Sequence, residues 1–536
     1  MATQTTAPAG AGAALRYVPL GRTPGAHEID WSAAPPRYQR YPDAERFILR
    51  GDPVAHHGEK LSRLLRDLYG QTRIRWAYPV DSLFQYLNAP PHVTVARCVP
   101  SGGALYPLSV YVATGPNQEV PPGLYHYDAA HHTLDLLRPG DHRAALTTSL
   151  TIPIDQDPGL VLAITTRFWR NAFKYQEFGY RLQSQETGIL TAQALALADA
   201  MSLLAAVHLH FADERINRLI GLDTFRESVM AVLTLTGPGA TTPADSRLPA
   251  YDELAVKPVT GAAHQPRDIT EVLPATAALH ASSLSQARLP QARTPEPYSV
   301  DIPLSPGQVR VPLPAAEVRL VDGIPDRASP PNGFAAESLS PHHLAAVLDA
   351  TSTSHPGHRY PGGDQPVGTV PYCLLLRVNG IAPGAYRYLP AENALIPAGT
   401  PEALRRVLTD ARLNVLTRLA LNEAGVALIP VGNYESGVRT HGDRWYRMQN
   451  IEAGVMVHRA TLAATAIGLT ARIFSDGTRD TVDDALGLAG TPNQSLSMLL
   501  VGHRRLSPML LEFVPGATPR GMPPVRRVPG LGLHRS

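Results

Sequence analysis

The chain carries its own alignment. The stretch FWRNAFKYQEFGYRLQSQETG (Phe168 to Gly188) returns in altered form as YESGVRTHGDRWYRMQNIEAG (Tyr434 to Gly454). Tyr180, Arg181, Glu186 and Gly188 meet Tyr446, Arg447, Glu452 and Gly454 at one offset of 266 positions, and the same ungapped offset joins Gly159 to Gly425, Leu203 to Leu469 and Gly221-Leu222 to Gly487-Leu488. Two copies mean a fused pair of domains, not a solenoid. A chain of 536 residues exceeds one hydrophobic core, and two halves of ordinary domain size fit it.

Charge narrows the function classes. The net charge is +2 and only 18% of residues are charged against 44% apolar, so the chain is globular and has no global drive toward nucleic acid. The tail arginines Arg520, Arg526, Arg527 and Arg535 read as solvated. Cys98 and Cys373 have no CxxC or Cys/His partner at metal spacing, so reduced thiols and no metal are expected. The first residues lack a signal peptide's basic and apolar regions, and the most apolar run, Gly188 to Leu209, is broken by Gln193, Asp199 and His208. These features predict a soluble cytoplasmic protein without a membrane segment.

In chain order, residues 1 to about 14 are Ala/Thr/Gly-rich and read as disordered. Ile29 to Leu49, rich in proline and aromatics, reads as an extended arm. KLSRLLRDLYG places Leu61, Leu64, Leu65 and Leu68 on one helical face and stops at Gly70. PSGGALYP (Pro100 to Pro107) is a turn whose glycines allow close backbone approach to a ligand, or an ordinary loop, and a strand LSVYVAT follows. GLYHYD and HTLDLL form a hairpin, and GLVLAIT a buried strand. The segment Gln183 to Val207, apolar on every side, predicts a buried helix, with its repeat at Gln449 to Ala471. His208 and His210 share a face but lack an acidic or thiol partner. The boundaries are an arm at 1–55, a first domain at 56–240, a Pro/Ala/Ser-rich linker at 241–317, a second domain at 318–510 and a basic tail at 511–536. In the second half Pro361-Gly362-Gly363 stands for Pro100-Ser101-Gly102, Thr440 for Lys174 and His441 for Tyr175.

PSGGALYP, GLYHYD, the Lys174-Tyr175 pair followed by GYR, the ETG of the long helix and IGLD together resemble the nitroreductase-like flavoproteins, and among them the SagB-type azoline dehydrogenases of ribosomal peptide biosynthesis. The arm and LLRDLYGQTRIRW resemble the leading part of the same family, including its thiopeptide branch. The resemblance implies an α+β fold of two tandem nitroreductase-like domains forming an intrachain pseudo-dimer, and leaves open a further homodimer. It implies FMN, a precursor peptide as substrate, a cyclodehydratase as partner, oxygen as electron acceptor, and oxidation of thiazoline or oxazoline rings to thiazole or oxazole. Lys174 and Tyr175 fall on the family's essential Lys-Tyr pair. Two other readings stand beside it: a flavin-dependent nitro or quinone reductase, and a non-catalytic scaffold that recruits peptide.

Nitroreductase-like dimers hold each flavin across the subunit interface, which implies one composite site. The first half keeps ring-side parts, Pro100, Ser101, Gly102 and Gly103 with Leu209, His210 and Phe211. The second half keeps phosphate-side parts, Arg327 and Ser329 in the family's Arg-x-Ser pattern, with Arg504 and Arg505 after its last strand. One FMN per chain is the expected stoichiometry.

Overall fold

The structure, a computed structural model, describes residues 12–25, 27–49, 60–77, 92–116, 118–154, 156–238, 267–285, 307–330, 333–352, 368–505 and 510–513. Two antiparallel sheets repeat one topology. In the first half the strand order is Glu45–Ile48, Thr133–Pro139, Gly123–Asp128, Leu108–Thr114, Leu160–Arg167, Glu227–Thr236, Leu204–His208. In the second it is Val311–Pro312, Ala394–Pro397, Gly384–Leu389, Thr369–Leu375, Val426–Gly432, Leu499–Arg504, with Thr470–Ile473 and Phe334–Ala335 beside the last and Gln494–Ser495 beside Val426–Gly432. Register repeats too: Leu204 faces Thr236 as Thr470 faces Gly502. Leu160–Arg167 is buried along its whole length, which is why it reads as a continuous apolar run rather than an alternation.

Two long helices, Phe178–Ala200 and Trp445–Ala466, lie against each other between the sheets, and nearly every residue of both is buried. A helix that is apolar all round has no solvent face to offer, so each serves as the other's core. Their closest approach is at glycine. A Cβ on Gly188 would lie 1.8 Å from the Ile451 carbonyl oxygen, and one on Gly454 would lie 2.0 Å from that of Gln185. Ile451 is the counterpart of Gln185, so the contact is reciprocal, the signature of a two-fold pairing. Tyr180 stacks on its own counterpart Tyr446, with centroids 6.3 Å apart.

The expected helix boundaries at 183–207 and 449–471 are wrong at both ends. The helices begin at Phe178 and Trp445, end at Ala200 and Ala466, and are followed by the strands Leu204–His208 and Thr470–Ile473. Each stops at a left-handed residue, Gly468 (φ 81°) in the second half and its counterpart Ser202 (φ 55°) in the first. Gly468 was a readable stop signal; Ser202 hid it.

The segments outside the two halves are structured in part. Ala13–Tyr17 is a helix where disorder was expected through residue 14, and Asp443 accepts hydrogen bonds from the amides of Ala13 and Ala14 at 3.1 and 2.9 Å. Arg22 pairs with Asp480 at 3.2 Å and with Asp483. At the other end, Leu510–Phe513 pairs with Gln71–Ala77 of the first half. The chain's two ends therefore cross, each docking on the opposite half. The Pro/Ala/Ser-rich connection contributes a helix, Pro274–Ser283, whose first turn is capped by Glu177 and whose His280 is fully buried among Phe168, Tyr180 and Phe225. Among the described residues no helix is long and apolar enough to cross a membrane.

Candidate active site

The strand Leu160–Arg167 leads into a short helix, Trp169–Tyr175, that ends on Gln176 at φ 50°. This positive-φ turn lets the chain re-enter the long helix two residues later and leaves Lys174 and Tyr175 in the last turn. They face the Ser101–Tyr106 loop, where Gly103, Ala104 and Tyr106 all have φ between 50° and 61°. Two of these are not glycine, so the loop holds backbone strain that its surroundings must enforce. Ser101 Oγ accepts from the Tyr106 amide at 2.8 Å and Glu186 Oε1 accepts from the Gly102 amide at 2.9 Å. A Cβ on Gly103 would lie 2.9 Å from Tyr175 Oη and 3.1 Å from Lys174 Nζ. The loop backbone thus packs directly on the Lys-Tyr pair.

Burial sets the electrostatics. Lys174 is half-buried and its pKa is lowered by desolvation, favouring the free amine. Tyr175 is pushed up to about 12, chiefly by burial, so it stays a hydroxyl donor. Glu186 is pushed up to about 8, again chiefly by burial.

The second half completes the site. Ser475 Oγ donates to Gln185 Oε1 at 2.6 Å, and the charges of Asp476 and Arg472 reach Tyr175. Arg327 is buried and its guanidinium donates to the carbonyls of Cys98 and Arg97, with Nη1 3.5 Å from Ser329 Oγ. It clamps the segment that leads into Pro100. Arg97 lies over the rings of Tyr69 (3.8 Å) and Tyr106 (4.8 Å), and its buried Nη1 has no hydrogen-bond partner among the described residues.

One group of expected site residues falls elsewhere. Leu209, His210 and Phe211 lie not beside Pro100–Gly103 but in the other seam position: Arg444 Nε donates to the Leu209 carbonyl at 2.6 Å, the His210 ring is 5.3 Å from that of His441, and Arg444 sits over Phe211 at 4.5 Å. The reason is the two-fold pairing. The residue 266 positions beyond His210 is Asp476, so the loop after each long helix meets the other half's Lys-Tyr position. The charge of Asp476 reaches Tyr175, and the His441 ring lies beside that of His210. Arg505 pairs with Glu423 at 2.8 Å, and Arg504 lies on the strand that pairs with Phe334.

The second seam position is filled. Asp213 accepts from Arg444 Nη1 at 2.6 Å and Arg447 Nη2 at 2.5 Å, all three side chains buried, while Ser283 and Ser285 close over the pair. Pro361-Gly362-Gly363 lies outside the described residues; the bond that Gly102 makes to Glu186 is made in the second half by Gly368 to Glu452, at 2.9 Å. Among the described residues no group of three or more His, Cys, Asp or Glu side chains gathers as a metal site.

A paired α+β fold with a glycine loop clamped across the seam defines a class, and sequence comparison agrees. Residues 59–237 and 333–503 each match the nitroreductase family, and the chain belongs to it. A solved structure assigned as a nitroreductase from Anabaena variabilis superposes with a TM-score of 0.72 at 21% identity, covering 92% of this chain and 100% of its own, which establishes the fold. The trifolitoxin-processing protein TfxB of Rhizobium leguminosarum bv. trifolii is 28% identical over 145 residues, 26% of this chain and 39% of its own. The microcin B17-processing protein McbC of Escherichia coli is 28% identical over 148 residues, 26% of this chain and 54% of its own. The chain thus matches about half or less of those relatives' length.

Glu186 gives the site a measurable pH signature. A carboxyl whose folded pKa of about 8 exceeds its ordinary value of 4.5 holds its proton more tightly in the folded state, so stability falls as pH rises through that window and levels off above it. The urea midpoint of the wild type minus that of Glu186→Gln should shrink as pH rises through the window, because the buried histidines titrate alike in both proteins. A difference independent of pH contradicts the assignment.

Proposed function

We propose that this protein is an FMN-dependent oxidase that converts thiazoline or oxazoline rings of a ribosomally made peptide to thiazole or oxazole, acting on the product of a cyclodehydratase. The observation that carries it is the contact of the Gly103 backbone, in a loop strained at Ala104 and Tyr106, with a half-buried lysine whose pKa is lowered and a tyrosine that keeps its proton. In an azoline the Cα proton is acidified by the adjacent C=N. Lys174, as the free amine, takes that proton, and Tyr175 donates a hydrogen bond that steadies the charge left on the ring. FMN, when bound, supplies the acceptor for the hydride that leaves Cβ as the ring becomes aromatic. The residues that would hold it are the Pro100–Gly103 backbone, Arg97, Arg327 and Ser329, with Phe474–Gly477 from the second half. The unpartnered buried Nη1 of Arg97 fits an anionic group, and the glycine loop fits close approach of a flat ring.

Incubating the purified protein with a cyclised precursor peptide should remove two hydrogens per ring by mass spectrometry. Rapid bleaching of the flavin by NADPH with no such loss would favour a nitro or quinone reductase and overturn the proposal. Because Asp213, Arg444 and Arg447 fill the second seam position, absorbance should give one flavin per chain. Arg97→Ala should lose that flavin on gel filtration and Arg505→Ala should keep it; the reverse pattern would return the phosphate to the strand end.

A further inference from the structure

The Asp213–Arg444–Arg447 cluster of the second seam position does not balance in charge. One carboxylate serves two guanidiniums, and none of the three side chains is more than 4% exposed. Burial pushes the Asp213 carboxyl up, but Arg444 and Arg447 outweigh it and hold the carboxyl low, so it is ionised. Burial lowers Arg444 only to about 10, and both arginines remain cations at neutral pH. The neighbouring titratable groups add no second anion: burial keeps the Tyr180 phenol protonated and the His210 and His441 rings uncharged. Hydrogen bonding is incomplete at the same place. Arg444 Nε and Nη1 are engaged by Leu209, Asp213 and Ser283, but its buried Nη2 has no partner among the described residues, nor has Arg447 Nε, nor either ring nitrogen of His210. Arg447 Nη1 has the Met230 sulfur at 4.0 Å, a weak acceptor.

We propose that this cluster is a binding site for a small monovalent inorganic anion of the chloride class, held by the unused N–H groups of Arg444 and Arg447. Both guanidiniums grip one carboxylate and both lie over one ring, that of Phe211, at 4.5 and 5.8 Å, so those N–H groups belong to a single site. Water would answer the donors and leave the surplus positive charge buried; an anion answers both, and a buried charge is tolerated only when it is paired. His210, next to Phe211 in the chain, brings a neutral ring N–H to the same neighbourhood. Enclosure sets the size of the ligand. The Ser283 carbonyl accepts from Arg444 and the Ser285 amide donates to Asp213, closing the connecting segment over the cluster, so the anion is one that can be surrounded whole and not the end of a longer molecule. An anion that binds only the folded chain ties the stability of the seam to the salt in solution.

The test replaces sodium gluconate stepwise with sodium chloride at one fixed ionic strength, which holds screening constant, and follows the urea midpoint of the full chain with its bound flavin. The wild-type midpoint should rise with chloride and level off, as a site saturates. Gluconate is too large to be enclosed. Arg447→Met removes the surplus charge and should abolish the rise. Met230→Glu keeps both arginines and brings a carboxylate to Arg447 Nη1 on a side chain of similar length, and it too should abolish the rise, so the result does not hang on one buried variant. Anomalous diffraction from crystals of the full chain soaked in sodium bromide should place a bromide within hydrogen-bond reach of Arg444 Nη2 and Arg447 Nε. Equal wild-type midpoints in chloride and gluconate, an unchanged chloride response in either variant, or bromide found only away from this cluster overturns the proposal.

Discussion

Lys174→Ala is expected to lower azole formation by roughly 10²- to 10⁴-fold, the usual worth of a positioned general base, while leaving bound flavin nearly unchanged. The lysine meets the loop through its terminal amine, 3.1 Å from where a Gly103 Cβ would be. Its loss therefore removes an interaction made in the transition state, not one that binds the cofactor. The pH profile separates the base role from a merely structural one. Desolvation lowers the Lys174 pKa below its ordinary 10.5, so wild-type turnover should rise with pH as the amine loses its proton, and the residual activity of the variant should lack that limb. Tyr175→Phe should also lower turnover but keep the limb. Wild-type rates in Lys174→Ala would remove the residue from the mechanism.

The second large effect is structural. Gly188→Leu should prevent the halves from pairing, at a cost of about 4 kcal/mol or more, the range reserved for severe overpacking. A Cβ there would stand 1.8 Å from the Ile451 carbonyl oxygen, which is helix backbone and cannot swing aside as a side-chain tip can. The seam holds the glycine loop against Lys174, so the variant should also lose flavin. Gly237→Leu is the control, since none of the described residues lies within 4 Å of its Cβ position, and its urea midpoint should stay close to wild type. A soluble, flavin-loaded Gly188→Leu protein would mean that the helices do not meet at Gly188 and Gly454.

The sequence exposed the duplication and the long helices because each rests on local signals: an ungapped offset and an apolar run. It exposed poorly what depends on how the halves face each other. Leu209–Phe211 was assigned to the wrong seam position because chain order suggests that a helix and the loop after it serve one site, whereas a two-fold pairing sends that loop to the other. The offset that matches His210 to Asp476 held the answer. Glu186 was visible as a repeated residue, but its elevated pKa comes from burial that no single-chain pattern reports. Arg504 and Arg505 looked free at a strand end, and only the fold brings Glu423 to Arg505. The helix Pro274–Ser283 was hidden in composition that reads as linker, and its burial comes entirely from the other elements in the seam.

The Asp213–Arg444–Arg447 cluster cannot be drawn twice. Its counterparts at the same offset are Arg479, Phe178 and Arg181, and they include no carboxylate. Two identical subunits would have to carry every such substitution in both copies, so an inert position could arise only by disabling the working one. Joining the copies in one reading frame removes that constraint. The tandem chain is in effect an obligate heterodimer with a fixed ratio of partners, in which the two seam positions are free to differ.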